Sequence, residues 1–161
     1  PQVSIHVITN DRLDSLTRLM QSLKESHFLG DQVALSIHVD VDADAKMMSY
    51  LMASENNLIR QLNFGVKWPH GPVSIHHRVR RGGLISAVTE SFHPVDPHDY
   101  AIFLEDDIEV SPAFYAWAKH LLLRYRYGSD AAHPSTLDGN TVPTTSLAGI
   151  SLYTPRIEEV R

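Results

Sequence analysis

The stretch that most restricts the fold is Tyr100-Ala101-Ile102-Phe103-Leu104, which runs without a break into Glu105-Asp106-Asp107 and then Ser111-Pro112. A short, unbroken apolar run bounded by turn signals predicts a strand buried on both faces, central in a parallel sheet. Ser111 as N-cap and Pro112 at the first helical position predict a helix start just beyond. The three acids therefore fall at the carboxyl end of a strand, the edge where open α/β sheets bind ligands. Three adjacent acids repel one another, so a positive group is expected to offset them. Hard divalent cations favour carboxylate oxygens and often bridge to phosphates. The plainer alternative is a solvated turn whose charges complement a helix dipole.

The rest of the chain alternates strand and helix signals. Val3 to Ile8 reads as a strand, closed by Thr9-Asn10-Asp11. Leu13, Leu16, Met20 and Leu23 keep helical spacing in a helix from about Asp14 to His27, and Gly30-Asp31 breaks it. Val33 to Val39 alternates as a second strand. A helix from about Asp44 to Leu62 places Met48, Leu51, Met52, Leu58 and Ile59 on one face. Gly65 to Pro72 reads as irregular, Val73 to Val79 as extended, Gly83 to Phe92 as a helix and His93 to Asp99 as a loop. After the acidic stretch, Phe114, Trp117, Ala118, Leu121, Leu122 and Tyr125 mark the clearest helix, with Gly128 at its C-terminal cap. Ser129 to Thr145 reads as a long loop and Ser146 to Thr154 as a last strand. Repeated strand-helix units predict right-handed crossovers and a mainly parallel sheet, a three-layer α/β/α Rossmann-like fold.

Size and composition narrow the function. A chain of 161 residues, 43% hydrophobic and 20% charged, supports one domain with a core. A net charge of -5 argues against a general nucleic-acid or membrane-surface binder. Without cysteine there is no disulfide and no thiolate zinc site. The start at Pro1, directly before a strand, suggests a segment of a longer chain.

Several further groups carry chemistry. Asp40, Asp42 and Asp44 have the opening spacing of a calcium loop, but Ala45 stands where glycine is required and Leu51 where the closing glutamate belongs. Asp44 makes a good N-cap, while Asp40 and Asp42, at a strand end, can accept hydrogen bonds from a ribose or a base. Asn10, Asp11 and Arg12 follow the first strand. Asp11 can cap the helix, and Arg12 can reach an anion. Arg78, Arg80 and Arg81 precede Gly82-Gly83 and a helix start, a combination suited to phosphate. The ten histidines are scattered and read as surface or structural groups. A receiver-type phosphoryl-transfer domain is disfavoured, because Asp11 is a lone acid after the first strand and no lysine ends a late one.

Taken together, Glu105-Asp106-Asp107, the following Ile108-Glu109-Val110-Ser111-Pro112, and a helix opening with Phe114-Tyr115 resemble the GT-A glycosyltransferases. The likeness is to the N-acetylglucosaminyltransferase I type, in which Glu-Asp-Asp stands for the DXD motif. Val3 to Arg12 resembles that family's first strand, and Gly149-Ile150-Ser151-Leu152-Tyr153 its strand closing the nucleotide-sugar half. The resemblance implies a nucleotide-diphospho-sugar transferase fold over residues 1–161, the N-terminal portion of a longer catalytic domain. It implies Asp107 as ligand of a manganese ion, or another divalent cation, between two phosphates of a UDP-sugar. It implies Asp106 at the ribose, Glu105 at the sugar, Asp40 or Asp42 at the uracil, Asn10 and Arg12 beside the nucleotide, and Arg81 and Gly83 at the pyrophosphate. The acceptor is a hydroxyl, for instance of a glycan. The resemblance also implies a catalytic base beyond Arg161 and a setting in the Golgi lumen. A non-catalytic nucleotide- or sugar-binding module on the same fold is the alternative.

Overall fold

The computed structural model describes residues 1–55, 66–81, 83–127, 135–137, 140–142 and 149–152. They fall into two compact units, Pro1–Pro112 and Ala113–Arg161. In the first unit, β1 (Gln2–Thr9), α1 (Leu13–Lys24), β2 (Ala34–Val39), α2 (Ala45–Glu55), β3 (Val73–His77), α3 (Gly83–Ser91) and β4 (Asp99–Glu105) alternate along the chain. The four strands form one sheet in the order β3-β2-β1-β4, and every pairing is parallel. This is the α/β architecture expected from the alternation.

Alternation within the strands decides where the core lies. Val3, Ile5 and Val7 of β1, with Leu35, Ile37 and Val39 of β2, are buried on one face. Helix α1 buries Leu16, Leu19, Met20 and Leu23, one stripe at helical spacing. Full burial of a Leu or Val side chain contributes about 1.5–3 kcal/mol, so these residues dominate the stability of the unit. Helix α2 turns a different stripe inward from the one expected. Met47 and Leu51 are fully buried, whereas Met52 is 57% exposed. Asp44 caps α2, its Oδ1 accepting from Met47 N at 2.7 Å. Residues 56–62, assigned to that helix from the sequence, lie outside the described residues.

The segment before β3 is irregular yet tightly held. Trp68 Nε1 donates to the Val33 carbonyl at 2.7 Å, and Val33 N donates to the His70 carbonyl at 2.6 Å. Gly71 sits so close to this backbone that a Cβ there would lie 2.5 Å from the Val33 oxygen.

Two expectations about the acidic stretch are corrected. Strand β4 is an edge of the described sheet, not a central strand; only Leu104 is buried and Phe103 is 39% exposed. An apolar run reports a preference for burial, not a place in the strand order. The helix after the acids begins at Phe114, with Ala113 in the cap position and no side-chain cap, so Ser111 is not the N-cap. The Pro112 carbonyl instead accepts from His27 N at 2.8 Å, which holds the chain out of helical geometry for one more residue.

In the second unit, α4 (Phe114–Leu122) continues into a π-helical turn, Leu123–Tyr127. Gly128 lies outside the described residues. The expected long loop contains two short strands, β5 (Ser135–Leu137) and β6 (Asn140–Val142), paired antiparallel with Leu137 opposite Asn140. Its sequence signal was Asp138-Gly139 between alternating residues. Of the strand expected from Ser146 to Thr154, the described residues 149–152 are not in a strand. No helix among the described residues is long and apolar enough to cross a membrane.

Candidate functional site

The strand order places the site. The chain moves from β1 outward through β2 to β3, then returns to the other side of β1 as β4. The chain thus adds strands first on one side of β1 and then on the other, and this switch point opens a crevice at the carboxyl ends of the strands. The ends are level: Ile8 pairs with Glu105 and Thr9 with Val39. The pairing continues past the strands, with Asp40 N donating to the Thr9 carbonyl at 3.0 Å and Asp106 N to the Ile8 carbonyl at 3.2 Å. Each acidic strand end is thus pinned to β1.

A cleft of about 260 Å³ opens there. Its lining comes from Ile8, Thr9, Asn10 and Arg12 after β1, His38 and Asp40 at the end of β2, and Arg78 after β3. Gly83, Leu84 and Ala87 of α3 and Glu105 of β4 complete it. Gly83 has φ +68°, a left-handed conformation that glycine adopts without steric cost, at the point where the chain enters α3. The volume is just below the range typical of ligand pockets, about 300–1,000 Å³.

The three acids do not act as one cluster. Asp106 is fully buried. One of its oxygens accepts from Thr9 Oγ1 at 2.7 Å and the other from Arg12 Nη2. Asp107 is half exposed and accepts from Arg12 Nη1 at 3.2 Å. Glu105 faces the cleft. The positive group that offsets the acids is thus Arg12, whose backbone also starts α1 through its carbonyl to Leu16 N at 3.0 Å. Asp106 above all, with Asp107, raises the guanidinium above its ordinary value and holds it charged.

The site residues named from the sequence divide accordingly. Asn10, Arg12, Asp40, Gly83 and Glu105 line the cleft, and Asp107 stands exposed beside Arg12. Asp106 is buried, both of its oxygens hydrogen-bonded within the protein, and supports Arg12. Asp42 and Arg81 pair with each other and are not part of the lining. The arginine that does line the cleft is Arg78, whereas the family resemblance had named Arg81 for the pyrophosphate. Asn10 Oδ1 is buried without a hydrogen-bond partner, an acceptor available to a ligand donor.

Histidine was the signal that sequence reading missed. His6, His38 and His76 come from three neighbouring strands and stack side by side on one sheet face. The ring centroids are 5.3 and 4.9 Å apart and the planes lie within 14° and 10°. His6 Nδ1 and His38 Nε2 share a hydrogen bond of 3.0 Å. Burial first, then His6, His76 and Arg78, push the His38 imidazole down to about 4, so the ring at the cleft is neutral at pH 7. Burial and His76 lower His6 as well. Among the described residues, no three His, Asp or Glu side chains converge as a metal-ligand set. A cation here would take one or two carboxylates and complete its shell from phosphates and water, a common arrangement for magnesium. Asp107, with its half-exposed carboxylate, fits such a partial set.

Comparison with known proteins agrees with this architecture. The family described as SPBC1E8.03c C-terminal domain matches residues 14–151, most of the chain. The chain belongs to this family. A search of curated proteins finds no match. Among solved structures, the chain is similar to Staphylococcus aureus TarS 1-349, with a TM-score of 0.54 and 12% identity over 78% of this chain and 33% of that one. TarS 1-349 in complex with UDP-GlcNAc gives a TM-score of 0.51 and 12% identity over 89% and 37%. The complex with UDP gives the same score and identity over 89% and 38%. The chain therefore spans about a third of the TarS fragment. At this identity the likeness concerns the fold alone, an α/β fold with a mainly parallel sheet.

Proposed function

We propose that the chain is the donor-binding part of a metal-dependent glycosyltransferase that takes a UDP-sugar in the cleft and passes the sugar to a hydroxyl acceptor such as a glycan. The observation that carries this is the cleft at the switch point, where three strand ends bring Asn10, Arg12, Asp40 and Glu105 around one space. The fold shared with TarS, seen with UDP and with UDP-GlcNAc, supports the choice of ligand.

In this reading Asn10 Oδ1 accepts a hydrogen bond from the base or ribose, and Asp40 accepts a second. Arg12 and Arg78 face the diphosphate and offset the negative charge that grows as the sugar departs. Glu105 lies at the sugar. Asp106 keeps Arg12 in place and does not touch the ribose. Asp107 would hold the manganese ion, which as a Lewis acid supplies leaving-group stabilisation without proton transfer. The Glu-Asp-Asp stretch then serves as a DXD equivalent, as in the N-acetylglucosaminyltransferase I type. The Golgi lumen is the setting that goes with this reading.

A second reading is a nucleotide-binding module without transfer. It is favoured by the two ion pairs of Arg12, which already offset Asp106 and Asp107. Calorimetric titration of UDP with manganese and then with chelator tests the first reading. Metal-dependent binding, lost in Asp107→Ala, is the expected result. Binding indifferent to chelator and to Asp107→Ala favours the module, and absence of UDP binding removes both.

A further inference from the structure

Three arginines stand between β3 and α3, and the structure treats them differently. Arg81 is largely exposed and bound to Asp42. Arg80 is exposed. Arg78 is mostly buried, its side chain 18% exposed, and it lines the cleft. Its backbone is fixed, because Arg78 N donates to the Val39 carbonyl at 2.9 Å and extends the β2–β3 pairing by one step. Its side chain is fixed by α3. Nη2 donates to the Ser86 carbonyl at 2.8 Å and to Glu90 Oε2 at 2.6 Å. Ser86 and Glu90 are four residues apart, so both partners lie on one helix face and the guanidinium is drawn along it.

A guanidinium has five N–H donors in a rigid fork. Holding Nη2 leaves Nε and Nη1, which donate to no described residue. Neutral His38 beside it adds no competing charge at pH 7. We propose that Glu90 is a positioning residue: it orients Arg78 so that the unused side of the guanidinium faces the anionic diphosphate in the cleft. This rests on the reading of the cleft as a nucleoside-diphosphate site. Glu90 itself is 66% exposed and is not among the residues lining the cleft. Glu90 is largely solvated and Arg78 keeps its bond to the Ser86 carbonyl without it, so the proposal places the main effect of Glu90 on ligand binding, with melting as the check on folding.

The test is a double-mutant cycle of Glu90→Ala and Arg78→Gln, with Glu90→Gln as the conservative variant. Affinities for UDP and for uridine are measured by calorimetry with manganese, and melting is checked for each variant. Glu90→Ala is expected to weaken UDP binding about 5- to 10-fold, the effect of removing one charged hydrogen-bond partner, and to leave uridine binding unchanged. Glu90→Gln keeps an acceptor oxygen and retains most of the affinity. In the Arg78→Gln background, Glu90→Ala causes no further loss. Equal loss for UDP and uridine, or the same loss with and without Arg78, would overturn the proposal. If the unmodified chain binds UDP and Glu90→Ala does not weaken it, the positioning role fails and the donor-site reading stands. If the unmodified chain binds no UDP, both fall.

Discussion

Removing Arg12 should cost this protein stability as well as ligand affinity, and the size can be worked out from its contacts. Asp106 is fully buried and has two hydrogen-bond donors, Thr9 Oγ1 and the Arg12 guanidinium. Arg12→Ala leaves the carboxylate with the hydroxyl alone. Breaking a buried ion pair from one side typically costs about 3–5 kcal/mol, because a buried charge loses its partner. Here the Arg12 side chain is 51% exposed, so water can enter where the guanidinium lay. A loss of about 2–3 kcal/mol is the discounted expectation. For a domain of this size that lowers Tm by about 4–12 °C. Urea denaturation and thermal melting of the purified chain both measure it. Asp106→Asn supplies the control, since it removes the charge and keeps the shape. The double variant Arg12→Ala/Asp106→Asn should be more stable than the sum of the two single losses predicts. A loss below about 0.5 kcal/mol in Arg12→Ala, or strict additivity in the double variant, would refute the claim that Arg12 is the charge partner that keeps Asp106 buried.

Other perturbations probe the remaining features. The His38 value falls from 6.5 to about 4 on folding, so the unfolded chain binds more protons between those values. The associated stability is fully present above pH 6.5 and is lost as pH falls towards 4; His38→Gln should flatten this part of a pH–Tm curve, and an unchanged slope would count against the stacked imidazoles. Gly71→Ala forces a Cβ against the Val33 carbonyl, and chemical denaturation should show a loss of about 1–3 kcal/mol. Asp44→Ala removes the side-chain cap of α2 and should cost about 1 kcal/mol in the same assay, with Asp44→Asn nearly neutral. Leu23→Ala, at a fully buried position of α1, should cost about 2–5 kcal/mol.

The fold was written plainly in the chain because it depends on local period. Val3, Ile5 and Val7 alternate, Leu16, Met20 and Leu23 recur at helical spacing, and neither pattern needs a partner to be read. The acids at strand ends and the cap at Asp44 are likewise local. Their neighbours across the sheet are not. Arg12 and Asp106 are 94 residues apart in sequence, and their pairing exists only because β4 returns beside β1. The choice of Arg78 over Arg81 turned on one step of β2–β3 register and on the face of α3 that meets it. His6, His38 and His76 looked scattered because each lies on a different strand, and parallel registry alone stacks them. The edge position of β4 follows the same logic, since strand order is a property of the whole sheet. Sequence determined which elements form and where their polar ends lie, because short-range sterics and burial dictate those. Tertiary structure decided which polar ends meet, because that depends on contacts between strands that the chain itself keeps far apart.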